Sequence, residues 1–310
     1  MRNGRSRRRP RGLPVLAVAA GLALGLVLGW AWQARRHRPP AARVGAEAPR
    51  SHPAPHPSAG VPSRGGRAAG VKLEPAPPAP RRAVDGPRGR VALVIDDLGR
   101  RPADLDAIAA LGVPVAHAVL PFEKRSREIA RQVRARGGEL VLHLPMESAQ
   151  PGEDPGPGAL RRGMGDAALR AAVEEALAEV EGATGLNNHM GSALTADPQA
   201  MRLVLGVAAQ RGLFFLDSRT TPESVAFATA RELGVPALER QVFLDDDLAP
   251  EAIRAEFARL LALADDRGEA IAIGHPHPAT LAILGEEVPR AKAAGIRFVS
   301  LRELLPRAVR

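Results

Sequence analysis

The 310-residue sequence contains no cysteine and no tyrosine, and its two tryptophans, Trp30 and Trp32, both lie near its start. The absence of cysteine excludes disulfide bonds and thiolate metal sites. A bound metal ion would therefore need ligands from histidine, aspartate and glutamate. All seven phenylalanines lie beyond residue 120, so they supply the few aromatic side chains of the later part of the chain.

Positive charge is concentrated in the first part of the chain. Residues 1–90 hold 18 lysines and arginines against 3 acidic residues, whereas the remainder holds 25 against 31. The net charge of +9 therefore hides a mildly acidic later part, which would gain nothing from phosphate neutralisation. We expect no binding of nucleic acid by that part.

The segment 13–32 is a run of 20 residues without a charged side chain, about the length that spans a bilayer. Six arginines lie within residues 2–11 and three within 35–38, which favours a cytoplasmic N-terminus. We expect a basic cytoplasmic tail over 1–12 and a transmembrane anchor over 13–32. The chain would then be a single-pass protein of a bacterial inner membrane, with its later part in the periplasm.

Two further interpretations of this segment stay open. Cleavage after Ala31 would make it a signal peptide, although such peptides usually have a shorter apolar region of about 7–15 residues. Gly21, Gly25 and Gly29 recur every four residues, a spacing that lets two membrane helices pack closely and predicts self-association. Ordinary small-residue content of an Ala/Leu/Gly-rich span explains the same spacing.

Residues 33–88 contain twelve prolines among alanine, arginine, glycine and serine. The segment has no apolar periodicity and cannot bury enough surface to fold. We interpret it as a disordered linker, extended and semi-rigid because of its prolines. The globular domain is therefore expected over 89–310.

From Val91 onward, short apolar runs alternate with helical periodicity. Seven or eight strand–helix units in about 220 residues predict an α/β fold, either a parallel barrel or a doubly wound sheet. The expected strands are 91–96, 113–119, 139–144, 184–187, 213–217, about 236–243, 270–274 and 296–299. The expected helices are 102–111, 124–136, 166–181, 198–211, 222–233, 250–265 and 278–294.

Polar side chains recur where five of these strands end, and the carboxyl ends of parallel strands form the rim where ligands bind. We therefore expect these side chains to lie together in a functional site. They are Asp96, Asp97, His143, Asn187, Asn188, His189, Asp217, His275 and His277.

One aspartate and two histidines of this set would provide three ligands and leave a position open for water, as in catalytic zinc sites. A second aspartate could accept a proton from that water, and a further histidine could protonate a leaving group. Taken singly, each histidine could equally be a core or turn residue. The run Asp245–Asp247 is interpreted as a solvated turn that caps the helix from Pro250, with a metal cluster as the alternative.

Together, the motifs VIDDLG, LPF, GGELVLHLPME, TGLNNHMGS, FLDSRTT and AIAIGHPHP resemble those of the divergent polysaccharide deacetylases. That family is a branch of the NodB-like carbohydrate esterase superfamily, and the resemblance covers about 90–305. It implies a distorted (β/α)7-type barrel and a metal-dependent hydrolase. The implied cofactor is a divalent metal, with Zn²⁺ favoured.

The resemblance also implies roles for individual residues. Asp96 would be the catalytic base and Asp97 a metal ligand. His143 would be the second ligand and His275 the general acid, with His277 as its alternate. Asp217 and Arg219 resemble residues that orient the base.

The sequence departs from the superfamily pattern at one ligand. A histidine pair spaced i, i+4 is expected, but Glu147 stands four residues after His143. His189 is the candidate for the missing ligand. Glu147, Asn187, Asn188 and His277 are then expected to support the metal or contact substrate, with a solvated loop charge as the equal alternative for Glu147.

The expected function is hydrolysis of an N-acetyl group on a cell-envelope glycan or another acetylated carbohydrate. One alternative is a non-catalytic binding or scaffold module on the same fold. Another is hydrolysis of a different bond, such as a phosphoester. Sugar sites usually stack rings on aromatic side chains, so the scarcity of aromatics argues against an extended polysaccharide groove.

Overall fold

The computed structural model describes residues 89–306. Within this range, no helix is long and apolar enough to cross a membrane. The predicted anchor at 13–32, the glycine spacing within it and the linker at 33–88 lie outside the described residues. They remain predictions.

Strands and helices alternate along the described part of the chain. The strands are β1 (Arg90–Leu98), β2 (Val115–Val119), β3 (Glu139–Met146), β4 (Gly185–Met190), β5 (Phe214–Asp217), β6 (Ala237–Glu239), β7 (Val242–Phe243), β8 (Glu269–Gly274) and β9 (Arg297–Phe298). The helices are α1 (Asp104–Ala109), α2 (Ser126–Ala135), α3 (Asp166–Glu179), α4 (Pro198–Arg211), α5 (Ala226–Glu232), α6 (Pro250–Arg267), α7 (Pro278–Ala293) and α8 (Leu301–Leu304).

All strand pairs are parallel, and the order is β6-β5-β4-β3-β2-β1-β8-β7, with β9 paired to β1. The two ends of this order, β6 and β7, are consecutive in sequence and joined by Arg240 and Gln241 alone. A link this short spans only about 11 Å. The sheet must therefore curl until its two ends lie side by side.

The prediction of a single strand at about 236–243 is therefore wrong. Within this range the chain crosses from one edge of the sheet, at β6, to the other edge, at β7. The Arg240 amide donates to the Asp217 carbonyl at the end of β5, whereas the next amide, of Gln241, donates to the Ile271 carbonyl of β8. The parallel α/β class is confirmed. In place of the predicted barrel, the structure has a curled sheet. Its two edge strands, β6 and β7, are not hydrogen-bonded to each other in the part of the chain that is described.

Side chains alternate between two faces of the sheet. One face packs with the helices in the larger apolar cluster, which includes Val91, Leu93 and Ile95 of β1. The other face forms a smaller cluster that we call the inner cluster. Its members include Ala92, Val94, Ala116, Ala118, Val141, Phe214, Leu216, Ile271, Ile273, Leu301 and Leu304.

The inner cluster includes the small residues Ala92, Ala116 and Ala118, and β4 places a glycine beside it. At Gly185 in β4, an added Cβ would lie 2.4 Å from the Phe214 ring. The last two leucines of the cluster come from α8, a helix that the sequence did not predict, which begins at the Ser300 capping box. This helix packs its apolar side against the interior of the curled sheet.

We expect Gly185→Ala to lower the free energy of unfolding by about 1–3 kcal/mol, because the new methyl group overpacks the ring of Phe214. Gly285 lies inside α7, and nothing lies within 4 Å of its built Cβ, so Gly285→Ala should be neutral or stabilise by up to about 1 kcal/mol. Urea unfolding of both variants beside the wild type measures this difference. Equal stability of the two variants would contradict the close contact at Gly185.

Candidate metal centre

Three side-chain atoms meet at the carboxyl rim of the sheet. Asp97 Oδ1 lies 3.2 Å from His143 Nε2 and 3.0 Å from His189 Nδ1. The two ring nitrogens are 3.1 Å apart. Tetrahedral zinc, with bonds of about 2.0–2.1 Å, separates its ligand atoms by about 3.3 Å. The three atoms therefore fit the ligands of one metal ion.

Asp97 reaches this point because the strand is distorted. Alternation puts Asp96 on the inner face after Ala92 and Val94, and would turn Asp97 away from it. The backbone of Asp97 has a positive φ of 56°, and the pairing register of β1 with β2 shifts between Ile95 and Leu98. A non-glycine residue in this region costs about 1 kcal/mol or more. The distortion brings two consecutive carboxylates to the same site.

The hydrogen-bond pattern leaves lone pairs facing one another. Asn187 donates through Nδ2 to Asp96, so its Oδ1 accepts from His143 Nδ1 at 2.9 Å. The proton of the neutral His143 ring is therefore on Nδ1, and Nε2 is the free ligand atom. Within residues 89–306, the buried Asp97 Oδ1 has no hydrogen-bond partner. The acceptor oxygen of Asp97 and the lone pair on His143 Nε2 lie at contact distance, and a cation bound by both atoms would explain this arrangement.

The charges of the site act on Asp97. Burial disfavours its ionised form, but hydrogen bonds and positive charge from the rings of His143 and His189, in their protonated forms in the metal-free site, outweigh that effect. The pKa of Asp97 is held well below its usual range, so the carboxylate is ionised at neutral pH and available as a ligand.

Asp96 lies beside the three ligand atoms and has a different environment. It is 2% exposed, and both of its oxygens accept from Asn187 Nδ2, at 3.0 and 3.1 Å. Burial raises the pKa of Asp96, with His143 and His275 acting in the opposite direction. A buried carboxyl of raised pKa next to a metal position suits proton transfer.

His275 follows β8, which pairs with the other edge of β1. Its Nδ1 lies 2.9 Å from Asp245 Oδ1, and its backbone amide donates to Asp245 Oδ2 at 2.7 Å. Thr280 Oγ1 donates to the same Oδ2. Burial lowers the pKa of His275, but the hydrogen bond to Asp245 and the negative charges of Asp96, Asp245 and Asp97 outweigh this and raise it to about 9. The ring is held as a protonated donor and stacks on Phe243, with centroids 6.3 Å apart.

The sequence interpretation of Asp245–Asp247 is half right. Asp247 closes the turn before α6, since its Oδ1 accepts from the Ala249 amide at 2.9 Å, but Ala249 precedes the helix and no described side chain caps it. Asp245 is buried and orients His275, a functional contact that the sequence reasoning missed. It lies two residues beyond Phe243, so the rule that singled out polar residues after strands would have found it.

Asp217 faces away from the ligand cluster. Phe214 and Leu216 belong to the inner cluster, whereas Phe215 belongs to the larger apolar cluster on the outer, helix-covered face. Asp217 lies two residues after Phe215 on the same strand, so its side chain points to the same outer face. Its carboxylate accepts from the Arg219 amide and Ser224 Oγ, at 2.8 and 2.7 Å. The described hydrogen bonds of Asp217 therefore organise the loop after β5.

Arg219 belongs to the same loop. It has a positive φ of 50°, donates to the Ser224 carbonyl at 3.2 Å and lies 3.6 Å from Glu239. The side chain that holds Asp96 is Asn187, from β4. The orienting role predicted for Asp217 and Arg219 stays a prediction, and their described contacts do not support it.

Glu147 does not join the ligand atoms. Its carboxylate accepts from the Arg162 amide at 2.6 Å and pairs with the Arg162 guanidinium at 3.3 Å. The geometry therefore favours His189 over Glu147 as the partner of Asp97 and His143.

The two other predicted residues lie nearby. Asn188 accepts from the Ser218 amide at 2.9 Å and donates to Thr220 Oγ1 at 3.3 Å, which ties the end of β4 to the loop after β5. His277 precedes α7 and is exposed, with its ring centroid 5.9 Å from that of His275. It is accessible to a ligand at the rim.

A curled parallel α/β sheet with aspartate and histidine side chains at its carboxyl rim fits the NodB-like fold of carbohydrate esterases. Residues 93–305 match the profile of the divergent polysaccharide deacetylases. The chain belongs to this family, which confirms the resemblance of its motifs.

Two curated relatives carry no functional description beyond "uncharacterized protein". One, from Haemophilus influenzae, is 39% identical over 199 residues, covering 64% of this chain and 70% of the relative. The other, YibQ of Escherichia coli, is 39% identical over 202 residues, covering 64% and 62%. A crystal structure of an uncharacterized Agrobacterium tumefaciens protein superposes with a TM-score of 0.65 at 24% identity, covering 71% of this chain and 90% of that one. This likeness shows the fold.

We expect the wild-type protein to bind about one equivalent of Zn²⁺. His143→Ala and His189→Ala should each weaken binding by more than about 100-fold, because loss of a direct ligand should exceed the 10–100-fold cost of losing an outer partner. Glu147→Gln is the matched control and should bind as the wild type does. Chelator competition measures the affinities. Loss of metal in Glu147→Gln with retention in His189→Ala would reverse the assignment.

We expect the pKa of His275 to be about 9 in the metal-free protein, and to fall towards about 6.5 in Asp245→Asn. Because the folded-state pKa lies above the unfolded one, this pair stabilises fully below pH of about 6.5 and loses its contribution as the pH rises to about 9. NMR titration of His275 measures the pKa directly. A wild-type pKa near 6.5 would contradict the role of Asp245.

Proposed function

We propose that the chain is a metal-dependent hydrolase that removes the acetyl group from an N-acetylated carbohydrate. The observation that carries this proposal is the convergence of Asp97, His143 and His189 on one point, with Asp96 and His275 beside it. Family membership supports the deacetylase class. The ligand set favours Zn²⁺, because zinc accepts nitrogen and carboxylate ligands and leaves a position open in catalytic sites.

A divalent ion bound by the three ligands would lower the pKa of a water and polarise the amide carbonyl. Asp96 would accept a proton from the water molecule that adds to the carbonyl carbon. His275, held protonated by Asp245, is placed to donate a proton to the amide nitrogen when the C–N bond breaks. The products are acetate and a free amine.

The rim offers little aromatic surface for a sugar ring. The Arg240 guanidinium lies 3.7 Å from the centroid of the Phe243 ring, and His275 stacks against the same ring. A cleft of about 560 Å³ beside it is lined mostly by polar side chains, among them Ser148, Gln150 and Arg219. We therefore propose that hydrogen bonds rather than ring stacking hold the carbohydrate.

We place this activity in the cell envelope on sequence grounds alone. The basic tail at 1–12 and the uncharged segment at 13–32 support an inner-membrane anchor with the hydrolase domain in the periplasm. An envelope glycan is then the acetylated carbohydrate within reach.

The test is acetate release from N-acetylglucosamine oligomers and from purified peptidoglycan by the zinc-loaded protein. Asp96→Asn and His275→Gln should each lower the rate by about 10²–10⁴-fold, the usual contribution of a proton-transfer group. Arg202→Gln removes only an exposed ion pair with Glu232 and should keep the wild-type rate.

Three outcomes separate the competing functions. Acetate release lost in both site variants supports the proposal. Zinc binding without hydrolysis of any acetylated glycan would favour a binding or scaffold module. Cleavage of a phosphoester probe in place of acetate release would assign the same site to another bond.

A further inference from the structure

Asn187 is fully buried at the centre of the rim. It lies on β4 directly beside His143 of β3 in the pairing register. Its amide contacts both Asp96 and His143, so one side chain links the proposed base to a proposed metal ligand. Its remaining side-chain contact is Ser218 Oγ, at 3.3 Å from Nδ2.

The amide can adopt only one orientation at this position. Nδ2 donates to the Asp96 carboxylate at 3.0 and 3.1 Å, and Oδ1 faces His143 Nδ1 at 2.9 Å. A reversed amide would place its oxygen against a carboxylate and its nitrogen against the Nδ1 proton. The interaction with Asp96 thus fixes the direction of Oδ1, and Oδ1 fixes the His143 tautomer.

We propose that Asn187 is a positioning residue with two separable effects, an inference that rests on the proposed function. Its Oδ1 keeps the proton of His143 on Nδ1, so that Nε2 is free for the metal. Its Nδ2 holds Asp96 beside the ligand cluster at the place where a proton must be accepted. Outer partners of this kind usually contribute 10–100-fold to metal affinity or activity.

A comparison with the next residue separates this role from a structural one. Asn188 makes its described side-chain hydrogen bonds to backbone groups and Thr220, so it ties loops together. The described partners of Asn187 are instead two titratable groups of the site and one hydroxyl.

The test uses two substitutions of similar volume in the full-length protein. Asn187→Leu removes both the donor and the acceptor. Asn187→Asp keeps an acceptor for His143 Nδ1 but removes the donor to Asp96. Ser218→Ala is the matched control, because it removes the remaining partner of Nδ2 and leaves both effects in place. Chelator competition gives the Zn²⁺ affinity, and acetate release at saturating Zn²⁺ gives the turnover.

Asn187→Leu should weaken Zn²⁺ binding by about 10–100-fold and lower turnover at least tenfold. Asn187→Asp should bind Zn²⁺ within about threefold of the wild type or more tightly, because a carboxylate partner raises the basicity of a ligating histidine. Its turnover should still fall at least tenfold. Ser218→Ala should stay within about threefold in both measurements.

Equal losses of affinity in the two Asn187 variants, or wild-type values in Asn187→Leu, would overturn the inference. If the wild type binds Zn²⁺ but releases no acetate, the proposed function fails and the inference is still decided. The affinities then test the effect of Asn187 on His143, and a crystal structure of Asn187→Leu tests whether Nδ2 holds Asp96 in place. An unchanged position of Asp96 in that structure would refute the second effect.

Discussion

The site depends on one electrostatic constraint, the meeting of a carboxylate oxygen of Asp97 with ring nitrogens of His143 and His189 at about 3 Å from one another. A buried acceptor without a donor, such as Asp97 Oδ1 among the described residues, costs about 1–3 kcal/mol. A protein keeps such an arrangement when something positive binds between them. The strained backbone of Asp97 is part of the same arrangement. Without its positive φ, simple alternation along β1 would point this carboxylate to the outer face of the sheet.

The curl of the sheet makes the meeting geometrically feasible. Asp97 lies on β1 and His143 on β3, with β2 between them, and in a flat sheet strands two apart are separated by about 9.6 Å. Inward side chains of a curled sheet converge above the end of the strand between them. The small inner residues Ala116 and Ala118 of β2 allow this curvature, so the packing of the interior and the ligand geometry are coupled.

The sequence predicted the class of fold and most rim residues, because strand ends and polar side chains are local features. It did not predict the division of 236–243 into β6 and β7, since a change of sheet edge depends on closure of the whole sheet. Whether a side chain points to the inner or the outer face of the sheet was harder to predict than its place at the end of a strand. Asp217 follows simple alternation away from the ligand cluster, whereas Asp97 violates it through a positive φ that no local pattern revealed. Asp245 was missed because its partner, His275, lies thirty residues away.

Strand order also divides the chemistry into two sides. β1 lies between β2 and β8, so Asp96 has the proposed metal ligands of β3 and β4 on one side and His275 on the other. The two groups placed for proton transfer thus lie on different strands. Burial raises the pKa of Asp96, and Asp245 contributes to the raised pKa of His275. A substrate amide would have to lie between them, with its carbonyl towards the ligands and its nitrogen towards His275. On the proposed function, strand order would set the direction in which an acetamido group enters, and the rim loops would select the sugar that carries it.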